Sequence, residues 1–260
     1  MIGRAVAGLV LAALISLVAR KARSLTVGGA LTATLIGTAA VAAGWSWGAL
    51  LIAYFVSSTL LSRSGRSLKE QRTASIVEKG GERDAMQVLA NGAIFAGAAI
   101  AMLLRPDVRW VALGAGSLAA AAADTWATEI GTLYGGEPRS ILTWNRVPAG
   151  TSGGVTAIGI LATVSGSMFV AVLVVVLGWT PNVGRLVALG GVVGALLDSA
   201  LGATVQARRW CDSCERETER MTHDCGAATR GIRGFGWLDN DLVNFLSNTA
   251  GGLLAALLSR

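Results

Sequence analysis

The run RWVALGAGSLAAAAADTWATEIGTL, Arg109–Leu133, decides the fold. From Val111 to Ala123 it carries no charge. A helix needs about 20 apolar residues to cross the hydrocarbon core of a bilayer, and this run is long enough to tilt or to project beyond it. It also contains two acids, Asp124 and Glu129. An ionisable group inside a span is costly and by default marks a functional position.

Seven further apolar runs flank it, at 4–19, 26–43, 45–61, 85–104, 152–178, 184–206 and 240–258. Together they take up most of the 260 residues, so no large soluble domain fits beside them. Only 15% of residues are charged, against roughly 25% in a soluble domain, and the mean hydropathy is +0.57. The 34 glycines fall mostly inside the apolar runs, where small residues let helices approach closely. The expected fold is all-α: one polytopic membrane domain over residues 1–260, with about eight transmembrane helices and a cytoplasmic Cys/His loop at 207–238. The first run follows Arg4 as a signal peptide would, but Arg20, Lys21 and Arg23 come directly after it with no small-residue cleavage site. It reads as a retained span.

Lys and Arg are distributed unevenly among the loops. Arg20, Lys21 and Arg23 lie in the first, and Arg63, Arg66, Lys69, Arg72, Lys79 and Arg83 in the third. Arg139 and Arg146 lie in the fifth, and Arg208, Arg209, Arg216, Arg220, Arg230 and Arg233 in the seventh. The even loops hold only Arg105, Arg109 and Arg185. The positive-inside rule then puts the odd loops in the cytoplasm and both termini outside, in a multi-pass protein of the cell membrane. The net charge of +6 is mostly this topology signal, and nucleic-acid binding is not supported.

On that topology the intramembrane polar groups collect toward the cytoplasmic side. Asp124 and Glu129 lie in the fifth span, Asp198 in the seventh, and Asp241 opens the eighth. Asn91, Asn244 and Asn248 join them. Glu129 lies near the inner end of its span, and Asp124 and Asp198 lie about 12–15 Å in from the inner ends of theirs at 1.5 Å rise per residue. Asp241, Asn244 and Asn248 share one helix face. Gly190, Gly194, Asp198 and Gly202 form a small-residue stripe with an acid in it. The plainer alternative is a set of isolated interhelical hydrogen bonds.

Two glycine-rich segments precede spans. One is Gly150-Thr151-Ser152-Gly153-Gly154, after Arg139 and Arg146. The other is Lys79-Gly80-Gly81-Glu82-Arg83-Asp84. A Gly/Ser turn feeding a helix N-terminus offers free N–H groups to phosphate, though it can also simply cap the helix. Carboxylates beside phosphate-binding groups point to Mg²⁺ carrying a nucleotide.

Cys211, Cys214, His223 and Cys225 form C-x2-C-x8-H-x-C, a spacing that suits a structural zinc. The alternative is free thiols in a solvated loop.

Several segments, in order, resemble the phytyl-phosphate kinase family, which includes the eukaryotic "transmembrane protein 19" group. Asp124-Thr125-Trp126-Ala127-Thr128-Glu129-Ile130-Gly131 carries the resemblance most strongly. Arg83–Gly92, Gly150–Gly154, Leu197–Ala203, Asn240–Phe245 and Ser57–Arg63 are also similar. The resemblance implies phosphorylation of an isoprenyl monophosphate (phytyl, geranylgeranyl or farnesyl phosphate) to its diphosphate by a CTP-like nucleoside triphosphate. Asp124, Glu129, Asp198 and Asp241 are then expected as catalytic Mg²⁺ ligands. Lys79, Arg83, Asn91, Arg139, Arg146, Asn240, Asn244 and the Gly150–Gly154 segment (with Thr151, Ser152 and Gly153) are expected around the phosphates and nucleotide. The expected partners are the bilayer, the nucleotide and the prenyl phosphate, with room for a homo-oligomer. An ion-coupled transporter and a cytidylyltransferase making a CDP-lipid are the alternatives.

Overall fold

The computed structural model describes residues 2–74, 76–77 and 81–259. Lys79, one of the expected phosphate ligands, lies outside the described residues. Each of the eight apolar runs forms a helix: α1 (Ile2–Lys21), α2 (Val27–Ala43), α3 (Trp45–Arg63), α5 (Ala85–Leu104), α6 (Val108–Tyr134), α7 (Ala157–Val176), α8 (Pro181–Thr204) and α9 (Asn240–Leu258). The ninth helix, α4 (Arg66–Thr73), was not expected. Its sequence, RSLKEQRT, is polar almost throughout, and its one buried residue is Lys69. Six of the helices are long and apolar enough to cross a membrane, and α2 is a shorter apolar helix.

The helix α6 occupies the centre and packs against α5, α7, α8 and α9. Every residue from Gly114 to Ala123 is buried. Ten consecutive residues buried on all faces are possible because all but Leu118 are Gly, Ala or Ser, so four neighbours can close around the helix at once. Its neighbours, not lipid, surround α6, which is how it accommodates Asp124.

The stripe on α8 works as its composition predicts. A Cβ added at Gly194 would stand 2.5 Å from Ala120 Cβ and 2.9 Å from Ser247 O. Only a bare backbone lets α8 fit between α6 and α9 there.

Apolar and polar cores are segregated along the bundle. Near the α2–α3 and α7–α8 turns, Trp47 packs on Phe95 at 5.2 Å and on Trp179 at 6.1 Å, above Leu50, Val170, Val174 and Val187. Toward the other end the lining becomes polar.

Two connections contain strands. Between α6 and α7, β1 (Arg139–Ser140) pairs antiparallel with β2 (Gly154–Val155). Between α8 and α9, β3 (Arg208–Cys211) is the centre of an antiparallel sheet, flanked by β4 (Arg216–Thr218) and β5 (Arg230–Arg233). The Cys/His segment is therefore a folded sheet. The strands also correct the sixth span. The helix begins at Ala157, with Thr156 as N-cap accepting from Gly159 N at 2.9 Å. Gly150–Gly154 precedes that cap as a turn leading into β2. Its amides are not the helix's own N-terminal groups, because Gly150 (φ 89°) and Gly153 (φ 80°) are left-handed.

Candidate functional site

One cavity of about 490 Å³ lies at the polar end of the bundle. Its lining comes from the segments beside the α1–α2, α3–α5, α6–α7 and α8–α9 connections, and reaches inward to Asp124, Thr163 and Ala195. It includes no described residue of the α2–α3, α5–α6 or α7–α8 turns. The polar groups thus gather at one end, as the sequence reading requires.

Helix ends set the outer wall. Thr26 caps α2, accepting from Gly29 N at 3.1 Å. Asp84 caps α5 in a reciprocal box with Gln87. Between these caps, Arg83 N donates to Ser24 O and Thr26 N donates to Arg83 O, each at 3.0 Å. The Arg83 backbone is therefore pinned to the start of α2. A side chain at Gly29 would collide with the Arg83 carbonyl. The guanidinium of Arg83 turns inward, with Nη2 3.3 Å from Ser62 Oγ.

Glu129 is tied from two sides. Ser62 Oγ donates to its Oε1 at 2.6 Å, and Lys69 Nζ pairs with Oε2. Lys69 also donates to Leu61 O at 2.8 Å and Ser62 O at 3.0 Å. The α4 helix thus folds back so that one lysine clamps the C-terminal turn of α3 to α6. Sequence reasoning counted Lys69 only as a topology charge. Its signal was faint, a single base among polar neighbours.

Deeper in, Asp198 accepts from Ser247 Oγ at 2.9 Å. Asn248 Nδ2 donates to Ala90 O at 3.2 Å and lies 3.3 Å from Asn91 Oδ1. Asp241 and Asn248 are buried. Asp239 caps α9, accepting from Leu242 N at 2.9 Å, which brings Asn240, Asp241 and Asn244 to the cavity wall.

The Gly150–Gly154 turn forms the facing wall. It rests on the end of α8, where a Cβ at Gly202 would meet Ser152 Cβ at 3.0 Å. Glu219, just past β4, bonds to the Ser152 hydroxyl and accepts from Ser152 N at 3.3 Å. Gln206 Nε2 donates to Ser152 Oγ at 2.9 Å and to Glu219 Oε2 at 3.1 Å. Neither Gln206 nor Glu219 was expected at the site. Gln206 is the last residue of the 184–206 run, just past the end of α8, whereas Glu219 lies outside the apolar runs and is brought back by the sheet.

Among the expected residues, the cavity collects Asp124, Glu129, Asp198, Asp241, Arg83, Asn91, Asn240, Asn244 and Gly150–Gly154. It does not collect Arg139 or Arg146. Arg139 Nη1 donates to Trp144 O at 2.8 Å, and Arg146 pairs with Glu137 at 2.8 Å in solvent. The β1–β2 ribbon holds both outside. In their place the lining includes Arg23, Arg63, Lys69 and Arg209.

Cys211, Cys214, His223 and Cys225 lie apart from the lining. The Cys225 thiol is pulled down to about 6, first by the Ala227 N–H and then by His223. The Cys214 thiol is pushed up to about 11, chiefly by its bond to the Cys225 sulfur. Neighbouring sulfurs cannot all ionise together without a cation among them.

The sequence pattern of the integral membrane protein family DUF92 matches residues 10–252. Protein PGR of Arabidopsis thaliana is 30% identical, over 98% of this chain and 96% of its own length. An uncharacterized membrane protein of Methanocaldococcus jannaschii is 27% identical, over 94% of this chain and 90% of its own. Protein VTE6, chloroplastic, of Arabidopsis thaliana is 29% identical, over 91% of this chain and 66% of its own. No solved structure matches the chain significantly. The chain belongs to the DUF92 family of integral membrane proteins, the phytyl-phosphate kinase family that its motifs resemble.

Proposed function

We propose that the cavity transfers the γ-phosphoryl group of a nucleoside triphosphate, CTP or a similar nucleotide, to a prenyl monophosphate such as phytyl, geranylgeranyl or farnesyl phosphate. The observation that carries this reading is the lining of a single cavity by acids (Asp124, Asp198 and the buried Asp241) and by bases (Arg63, Arg83, Lys69). Acids for a metal and bases for phosphates are the two halves of a phosphoryl-transfer site. An oxygen of the acceptor phosphate attacks the γ-phosphorus, the bond to the β-phosphate oxygen breaks, and the nucleoside diphosphate leaves. The acceptor is already ionised at neutral pH, so no general base is required.

The donor set fits magnesium. The cavity's acids and amides offer oxygen, and Mg²⁺ takes one or two carboxylates and completes its shell with water and phosphate oxygens. Asp124, Asp198 and Asp241 would hold it, and bound there it would neutralise charge on the transferred group. Glu129 has a different role. Held by Lys69 and Ser62, it fixes the lysine at the cavity edge. Arg83 and Arg63 bind phosphate oxygens. The Gly150–Gly154 backbone approaches the nucleotide where side chains would block it. Ile160 and Leu196, apolar and exposed at the wall, receive the first isoprene unit and exclude water from the transfer. The positive-inside rule favours a cytoplasmic mouth, where nucleotide is available.

The test uses purified protein, Mg²⁺, γ-labelled CTP or ATP, and farnesyl, geranylgeranyl or phytyl phosphate. Label in the prenyl diphosphate supports the reading. Label in pyrophosphate alone means nucleotidyl transfer and overturns it, as does the absence of turnover with every pair.

A further inference from the structure

All three cysteines and the only histidine of the chain converge at the tip of the α8–α9 connection. Cys211 ends β3, and Cys214 lies in the turn to β4. His223 and Cys225 lie in a tight turn in which Gly226 N donates to His223 O at 2.8 Å and His223 N donates to Ala227 O at 3.0 Å. One donor atom from each residue lies within 4.8 Å of the other three.

The spacing separates two chemistries. Cys211 Sγ and Cys225 Sγ are 3.6 Å apart, and His223 Nδ1 is 3.4 Å from Cys225 Sγ. A disulfide requires about 2.05 Å. A tetrahedral zinc, with Zn–S about 2.3 Å and Zn–N about 2.0–2.1 Å, sets edges of about 3.8 Å between sulfurs and about 3.6 Å between nitrogen and sulfur. Both observed distances match those edges closely. The imidazole is buried, with one nitrogen on a sulfur and the other without a partner among the described residues. No carboxylate or carbonyl among those residues holds it as an ordinary core histidine would be held.

We propose that Cys211, Cys214, His223 and Cys225 bind one zinc ion, and that this zinc locks the β3–β5 sheet as a wall of the cavity. Cys211 and Cys214 bracket the β3–β4 turn, and β4 leads directly to the residues that touch the rest of the protein. Thr218 Oγ1 lies 3.4 Å from Ile76 O, Glu219 N donates to Ile76 O at 3.0 Å, and Arg220 Nε donates to Val77 O at 2.8 Å. Glu219 then braces Ser152. The sheet has a thin apolar core of its own, and β5 is exposed along its whole length, so cross-linking by a metal replaces packing. The inference does not depend on the reaction proposed above.

The test is zinc content of the full chain purified in detergent without metal-affinity steps, with limited proteolysis of residues 207–238. About one zinc per chain is expected, falling at least about tenfold in Cys214→Ser and Cys225→Ser. Cleavage in the sheet should accelerate at least about tenfold in those variants while helical circular dichroism is unchanged. Should the variants not fold, cobalt replacement in the wild-type chain should yield the intense visible bands of tetrahedral thiolate coordination. No zinc after stoichiometric addition, undiminished zinc in both variants, or no cobalt bands would overturn the site. Zinc loss without faster cleavage would overturn its role as a lock.

Discussion

Ser247 on α9 donates its hydroxyl to Asp198 Oδ2 on α8 at 2.9 Å, beside the Gly194 contact that brings the two helices together. The same hydroxyl lies 3.1 Å from Asn244 O, one turn back. One small side chain therefore fixes the rotamer of a cavity carboxylate. Ser247→Ala should cost only about 1 kcal/mol in stability but lower label transfer in the assay of the proposed reaction about tenfold. Thermal unfolding in detergent beside the label-transfer assay separates the two effects, and equal loss in both would reduce the bond to a structural one.

Asp124 lines the cavity one residue past the enclosed stretch of α6, and Asn has nearly the same shape, so Asp124→Asn should fold normally. It should reduce transfer at least about a hundredfold, since a neutral amide cannot hold the cation that offsets phosphate charge. Unchanged chromatographic behaviour with wild-type activity would contradict the proposed role.

The Lys69–Glu129 pair predicts a thermodynamic signature. Lys69→Met leaves a largely enclosed carboxylate without its cation and should destabilise by about 3 kcal/mol. Glu129→Gln added to it should recover most of that loss. A double-mutant cycle by thermal unfolding measures the coupling, and simple additivity would show that the pair is not a clamp.

The two sets of arginines should behave differently. Arg146→Ala, in solvent against Glu137, should leave the apparent nucleotide KM within about twofold. Arg83→Ala should raise it at least about tenfold. Steady-state kinetics at varied nucleotide concentration decides between them, and a rise of about tenfold for Arg146→Ala as well would return it to the phosphate-binding set expected from the sequence.

Gly194→Leu should prevent assembly altogether. A Cβ there already stands 2.5 Å from Ala120 Cβ, and the backbone on both sides cannot yield without separating α8 from α6. Size-exclusion chromatography after extraction should show aggregate in place of a discrete peak.

The eight apolar helices were legible because length and apolar composition report directly on lipid exposure, and six of them are long and apolar enough to cross a membrane. The short α4 was not, because RSLKEQRT carries no apolar run and its anchors are tertiary: Lys69 on Glu129, and Arg72 donating to Thr132 O and Leu133 O. The start of α7 was misread at Ser152 because a Gly/Ser turn before an apolar run looks the same whether it caps a helix or enters a strand. Pairing of Gly154 with Ser140 decides the matter, and that partner lies outside the window that local propensity can see.

Sequence alone determined that the chain is a helical membrane protein, that four acids interrupt its spans, and that its bases cluster in alternate connections. These are properties of single segments, set by the cost of placing each residue in lipid or water. Tertiary structure alone decided which charged groups share a cavity. It turned Arg139 and Arg146 outward on a ribbon, brought Lys69 inward on α4, and returned Gln206 and Glu219 to Ser152. Electrostatic and hydrogen-bonding partners are chosen by distance through space, and distance through space is set by how the helices and the two small sheets pack.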